Sequence, residues 1–413
     1  MTAEALRTPP ADLRATTVEL DRAPDLLACL PPSDAVAWVR NGQGLVGWGV
    51  AARIELGSGV DRISRAAEAM RMLGAAVRTG DAAGRWGEGL VGFASFTFDP
   101  QSTGSVLMVP RVLVGRDGDR AWMTTIGEVE RPDLSGRPGA PGPTGVRFLG
   151  STVPGAVWQR SVTTAAETIR NGALRKVVLA RDEHVEAAGD IDARAVASRL
   201  AQRYPGCFTY LVDGLVGATP ELLVRRREER VESLVLAGTA ARGADDDADA
   251  ALGAQLLASA KNLEEHALAV ASVVSVLQER CVALSVPRGP GLLKLANAQH
   301  LATRLTGRLR RPESALDLVA ALHPSAAVCG TPTDAALGTI RQLEGMDRGR
   351  YSGPVGWMDA AGNGEFGIAL RCAQLSGRRA RLFAGNGIMG GSDPAAELAE
   401  TNLKLDAVRS ALR

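Results

Sequence analysis

The 413-residue chain is longer than one average domain, so it has room for one large domain or two. Its 46% hydrophobic and 23% charged residues are those of a globular protein and give no sign of disorder. A formal net charge of +1 and only 4% aromatic residues exclude broad attraction to nucleic acid or anionic membrane, so any anion must be held by a local site.

Met1–Leu13 mixes charges and prolines and lacks the apolar core of a secretory signal. After it the sequence predicts short strands at Ala37–Arg40, Leu45–Ala51, Gly89–Phe98, Ser105–Arg116 and Arg120–Gly127, with a helix over Asp61–Arg78. Pro132–Gly145 (PDLSGRPGAPGPTG) reads as loop, because proline and glycine set turns and proline withholds a ladder donor. It separates an N-terminal portion, 1–150, from a C-terminal portion, 155–413. The latter predicts helices at Ala156–Asn171, Ala193–Arg203, Lys261–Arg280, Glu313–Leu322, Pro332–Glu344 and Pro394–Leu412. Between them lie strands or extended chain at Lys176–Arg181, Cys207–Asp213, Leu215–Ala218, Glu221–Arg227, Val231–Leu236, Val282–Val286, Leu292–Ala298, Gly353–Asp359, Gly364–Cys372 and Ala380–Ala384. Strands mixed with helices, without strict βα alternation, favour an α+β or layered α/β class over a doubly wound sheet. The run Ala267–Leu277 is broken by serines and falls short of the roughly 18 residues of a membrane span. Cys29, Cys207, Cys281, Cys329 and Cys372 are scattered and odd in number. That pattern argues against a disulfide framework or thiolate zinc site and for a reducing compartment, with cytoplasm expected.

Gly385-Asn-Gly387-Ile-Met-Gly390 matches G-x-G-x-x-G between a strand and a helix. Only Gly391–Arg413 follows, room for the helix but not for the next strand of a βαβ unit, which argues against a dinucleotide site. Backbone amides beside a helix N-terminus would still suit a carboxylate. In that helix Glu397, Glu400 and Lys404 fall at i, i+3 and i+7 and share a face, with Asp393 as N-cap. A solvated face is the competing reading. A second helix offers Lys261, Glu264, Glu265 and His266; the lone histidine reads as structural. Two helices each giving glutamates suit a hard ion such as Mg²⁺, whereas H-E-x-x-H and the phosphate-loop pattern are absent.

Lys176 opens an apolar strand, where an amine can be tuned towards a general base, although most such lysines merely reach for water. Glu221 follows Pro220 into another apolar strand, where burial suits an acid. A charged strand end is the bland alternative.

These residues sit within a series of short motifs in one order. The series is KVVLAR at 176–181, TPELLV at 219–224, LAGT at 236–239, K-x-x-x-E-H at 261–266, QHL at 299–301 and HPSAAVCGTP at 323–332. It continues with Y-S-G at 351–353, IALRC at 368–372, GNGI at 385–388 and E-x-x-E-T-x-x-K at 397–404. The series, spanning about Gly155 to Arg413, resembles the chorismate-utilising enzymes: isochorismate, salicylate, anthranilate and aminodeoxychorismate synthases. The resemblance implies one large domain over 1–413 with large mixed or antiparallel sheets packed together and helices outside. In that case Pro132–Gly145 is a surface loop and not a boundary.

By resemblance, Glu265 and Glu400 would hold Mg²⁺ with Glu397 assisting. Amides near Gly385 and Gly387, together with Lys404, would hold the ring carboxylate of chorismate. Tyr351 and Arg371 would hold the enolpyruvyl carboxylate, a task the guanidinium fork suits. Thr239 and His300 would line the pocket. Lys176 resembles the base that activates water and Glu221 the acid that protonates the leaving hydroxyl. This is isochorismate synthase chemistry, an isomerase, feeding menaquinone or siderophore synthesis. Lys176 argues against anthranilate synthase, and Ala237 stands where aminodeoxychorismate synthases carry a lysine. No glutaminase subunit is expected, and a monomer fits. Salicylate synthase, which shares Lys176 and Glu221 and goes on to eliminate pyruvate, stays open. A catalytically silent chorismate-fold or nucleotide-binding protein is the reading from a different class. Asn262 and Asn386 depart from the family pattern.

Overall fold

The computed structural model describes residues 14–79, 85–130, 132–137 and 139–413; Met1–Leu13 lies outside them. The long strand Ser105–Asp117 is a seam. One edge pairs along its length with Gln43–Gly57, and the other takes Val91–Ser95 and then Arg120–Ile126. Two arms leave it. One runs from Gln43–Gly57 through Val36–Arg40, Phe208–Val212, Leu215–Thr219, Cys372–Ser376 and Arg379–Ile388 to Lys176–Glu186. The other runs from Val91–Ser95 through Pro354–Asp359, Gly364–Ile368, Leu222–Arg227 and Arg230–Ala241 to Ala298–Leu309. Among the described residues, pairing is antiparallel except between the short strands Arg14–Glu19 and Arg78–Thr79. Strands from both sides of the Pro132–Gly145 loop thus share each arm.

The arms pack face to face with helices outside, as expected for a layered fold. Strands such as Val91–Ser95, Phe208–Val212 and Leu215–Thr219 are buried at every position, which is why they read as continuous apolar runs. Trp38, Phe93, Tyr210, Leu222, Leu236, Trp357 and Phe383 form a core between the arms. Trp38 Nε1 ties the arms together by donating to Glu365 Oε2 at 2.8 Å. A second core lies under the helices Ala193–Arg203 and Pro394–Leu412, and a third under Arg62–Ala76, Gly155–Arg170, Ala260–Arg280 and Ala315–Leu322. Among the described residues no helix is long and apolar enough to cross a membrane. The five cysteines are buried and unpaired.

Three features differ from expectation. A helix at Asp246–Ala258 and the strand Ala298–Leu309 were not read from the sequence. The glycines Gly385 and Gly387 lie inside the strand Arg379–Ile388, not in a loop before the last helix.

Candidate active site

The site begins with a ladder. In the pairing of Lys176–Glu186 with Arg379–Ile388, Val178 lies opposite Gly387 and Ala180 opposite Gly385. Opposed residues share a face and faces alternate, so Val178, Gly385 and Gly387 look into a cavity between the arms while Asn386 looks away; Lys176, two residues before Val178, lies on the same face against Gly387 and Glu265 of the cavity wall. Lys176 is fully buried, with Nζ 3.2 Å from Glu265 Oε1. That contact lacks hydrogen-bond geometry, so the ammonium has an ionic neighbour but no hydrogen-bond acceptor. The glycines are there for space. A Cβ on Gly387 would stand 2.1 Å from Glu265 Oε1 and 2.8 Å from Lys176 Cε; one on Gly385 would stand 3.2 Å from Tyr351 Oη.

The other arm faces this ladder with Glu221, Thr239 and His300. Thr239 and His300 oppose each other across a bulge created by Gly238, whose φ of 79° a side chain would resist. Burial pushes the Glu221 carboxyl up to about 8, against the opposing pull of Lys176, Arg371 and Lys404. Burial, then Arg371 and Lys404, hold the His300 imidazole well below its ordinary value, so the ring is neutral. Its Nε2 accepts from Arg371 Nη2 at 2.6 Å, which places the ring proton on Nδ1, 3.2 Å from Thr239 Oγ1.

Arg371 sits at φ 46°, a strained conformation for a non-glycine residue, and is buried. Its Nε and Nη1 have no hydrogen-bond partner. A buried guanidinium with one nitrogen anchored and two open is a fork waiting for a carboxylate. Tyr351 lies beside it, stacked on Phe383 with ring centroids 5.1 Å apart, and burial raises its phenol further.

The closing helix Pro394–Leu412, capped by Asp393, contributes Glu400 and Lys404 to the cavity. Lys404 Nζ donates to Gly385 O at 2.9 Å, Asn386 Oδ1 at 2.8 Å and Glu400 Oε1 at 2.8 Å. Glu397 is placed differently. Its carboxylate accepts from Lys261 Nζ at 2.8 Å, Ser392 Oγ at 2.7 Å and Asn386 Nδ2 at 3.0 Å, and it does not line the cavity. Asn386 therefore couples Glu397 to Lys404 behind the ladder. Asn262 closes a local ring with Ser259, the N-cap of its helix. His266 is structural: it bonds Ala237 O and Thr303 Oγ1, and burial lowers it to about 4.

Glu344 and Arg348 carry weight that the sequence did not reveal. They form a fully buried ion pair. Glu344 Oε1 accepts from Ala180 N at 2.8 Å, while Arg348 donates to Val178 O at 2.8 Å and Val328 O at 2.9 Å. The pair thus pins the Lys176 strand to the segment that lines the cavity beside it. Charges at i,i+4 past a helix end look like a surface pair, and only their apolar setting in three dimensions says otherwise.

Among the described residues no three acidic, histidine or cysteine side chains are grouped to hold a metal. Glu265 and Glu400 both line the cavity, however, and an all-oxygen pair completed by ligand oxygens and water suits Mg²⁺. Arg371 and Lys404 give the cavity the local positive charge that the near-neutral chain lacks overall, and a protonated Glu221 adds no negative charge against it.

Comparison with known proteins agrees with this architecture. Residues 146–413 match the family model described as chorismate binding enzyme. The salicylate biosynthesis isochorismate synthase of Pseudomonas aeruginosa is 44% identical over 62% of this chain, and the isochorismate synthase DhbC of Bacillus subtilis 40% over 60%. The matched segments span 54% and 65% of those relatives' own lengths. The solved structure of MenF, the menaquinone-specific isochorismate synthase of Escherichia coli, superimposes with a TM-score of 0.80 at 28% identity. It covers 97% of this chain and 95% of that one. With the family model covering well over half of its length and the fold matched almost end to end, this chain belongs to the chorismate-binding enzyme family.

Proposed function

We propose that the chain is an isochorismate synthase. One observation carries the reading: a buried lysine without a hydrogen-bond acceptor comes from one arm, against the cavity-lining Glu265 and Gly387, and a cavity-lining carboxyl raised to about 8 comes from the other. That puts a candidate base and a candidate acid on facing walls of one site. Lys176, entering this step as the free amine, takes a proton from water as its oxygen bonds to ring carbon 2. The ring double bonds shift, the bond from carbon 4 to its hydroxyl breaks, and Glu221 gives that oxygen a proton. Water enters and water leaves, so the product is an isomer. Arg371, held by His300, grips the enolpyruvyl carboxylate beside Tyr351. Incubation with chorismate and Mg²⁺ followed by product separation tests this: isochorismate alone is expected, salicylate plus pyruvate would establish the salicylate synthase reading, and unchanged chorismate would refute both.

Glu265 and Glu400 are the proposed Mg²⁺ holders, an ion that would supply charge to neutralise the ring carboxylate. Glu397 is left out of this pair because its oxygens are engaged by Lys261, Ser392 and Asn386. Glu400→Gln is expected to shift the Mg²⁺ titration of activity at least tenfold to higher concentration; an unchanged midpoint would remove Glu400 as a ligand.

Two further outcomes follow from the geometry. As an acid, Glu221 acts protonated, and its carboxyl is raised to about 8, so kcat/KM should fall as pH rises through about 8. A profile flat to pH 10 would deny it that role. Gly387→Ala would drive a methyl into Glu265 and Lys176, and displacement by about 1 Å costs turnover about 10²-fold. Steady-state kinetics on a variant with unchanged circular dichroism would check this.

A further inference from the structure

The sheet carries a second charged feature, on the inner face of the second arm, at the ends of its strands away from the cavity. Arg227, Arg230 and Arg308 stand directly opposite one another on the neighbouring strands Leu222–Arg227, Arg230–Ala241 and Ala298–Leu309. Opposed residues share a face, so the three guanidiniums form one row across three strands, lining a cleft with Trp86. Like charges directly opposite each other destabilise a sheet, and a row of three invites an explanation.

The carboxylates nearby do not neutralise it. Glu232 and Glu365 are both taken by Arg225, and Glu232 also by Arg304. Asp117 reaches Arg227 alone, at 3.3 Å. Among the described residues neither Arg230 nor Arg308 has an ion-pair partner. Arg227 also lies over the Trp86 ring at 5.2 Å, which holds its guanidinium plane against the cleft wall.

From this geometry we infer a binding site for a small polyphosphate-type anion, distinct from the cavity between the arms. Adjacent strands lie about 4.8 Å apart, so neighbouring guanidiniums can grip one phosphoryl group between them while the third takes the next. Arginine suits this because its planar fork meets phosphate oxygens in pairs. The ligand's charge replaces the missing acids and relieves the repulsion along the row. Phosphoryl chains of this kind occur free or on a nucleotide, whose base would find Trp86 at the edge of the same cleft.

Titration calorimetry of the full chain with inorganic pyrophosphate tests the site, in low-salt buffer without Mg²⁺ so that the cavity between the arms cannot recruit the probe through a metal. Saturable binding is expected, weakening as salt is raised. Arg230→Ser and Arg308→Ser should each weaken it at least tenfold and together remove it, with the melting temperature not lowered, because both side chains are exposed and their loss relieves repulsion. Adenosine diphosphate is the second probe. Tighter binding than pyrophosphate, lost in Trp86→Ala, identifies a nucleotide; equal or weaker binding identifies a free polyphosphate. Absence of saturable pyrophosphate binding, or equal affinity in the double variant, would overturn the inference.

Discussion

Lys176→Met is expected to lower kcat on chorismate by about 10²–10⁴-fold, the usual contribution of a positioned general base. Methionine nearly conserves the volume of a fully buried side chain, so the loss would not reflect a collapsed core. Chorismate should still bind, because Arg371 keeps two open nitrogens and its anchor on His300. Lys176→Arg separates the two duties of the position. A guanidinium keeps a positive charge beside Glu265 but does not give up its proton, so it should restore stability without restoring turnover. Single-turnover kinetics with a parallel binding titration reads both. Activity within tenfold of wild type in either variant would exclude Lys176 as the base.

Arg348→Met should cost about 3–5 kcal/mol of folding stability, the scale for stripping one partner from a buried ion pair. The cost arises because Glu344 would be left charged in a place where burial already raises its carboxyl, and because the carbonyls of Val178 and Val328 would lose their donor. Glu344→Gln combined with Arg348→Met should cost less than the two separately, since no uncompensated charge remains. Denaturant unfolding measures all three. The surviving folded fraction of Arg348→Met should also show lower kcat than KM would explain, because the pair positions the strand carrying Lys176. A loss below about 1 kcal/mol would show that the pair is not needed to hold that strand.

Much of the site was legible because its residues sit in short motifs whose order is unusual, and because each motif falls at a strand end or on a helix face. Lys176 was placed on a strand and Glu221 at the entry to one, and Glu265, Glu400 and Lys404 on helices that do reach one cavity, whereas Thr239 and His300 lie on strand segments that were not read. Polar partnerships made far along the chain were not legible. Glu397 shares a helix face with Glu400, yet Lys261 and Asn386 turn it inward. The glycines suggested anion-binding amides beside a helix, but the strand continues through them to Ile388, and they serve chiefly as clearance for Lys176 and Glu265.

Two missed elements have a common cause. The helix Asp246–Ala258 buries Asp249, Gly253 and Leu256, so its inner stripe is mostly not hydrophobic; Asp249 earns its place by binding Arg242, Lys294 and Gln299. In Ala298–Leu309 the buried alternation of Leu301, Thr303 and Leu305 is there, but Gln299, His300 and Gly307 interrupt it. Pattern reading follows apolar residues, and here polar residues do the packing.

The seam strand and its two arms bear on how the protein reaches this state. Val36–Arg40 pairs with Phe208–Val212, and Val91–Ser95 with Pro354–Asp359, so each arm is completed only when segments far apart in the chain meet. Closing such long loops costs entropy before the contacts return any stability, and folds dominated by distant pairings form slowly. Helices such as Pro394–Leu412 need no such closure. The cavity has walls only when both arms are in register, so competence in refolding would be the last property to return, trailing helical content and compaction.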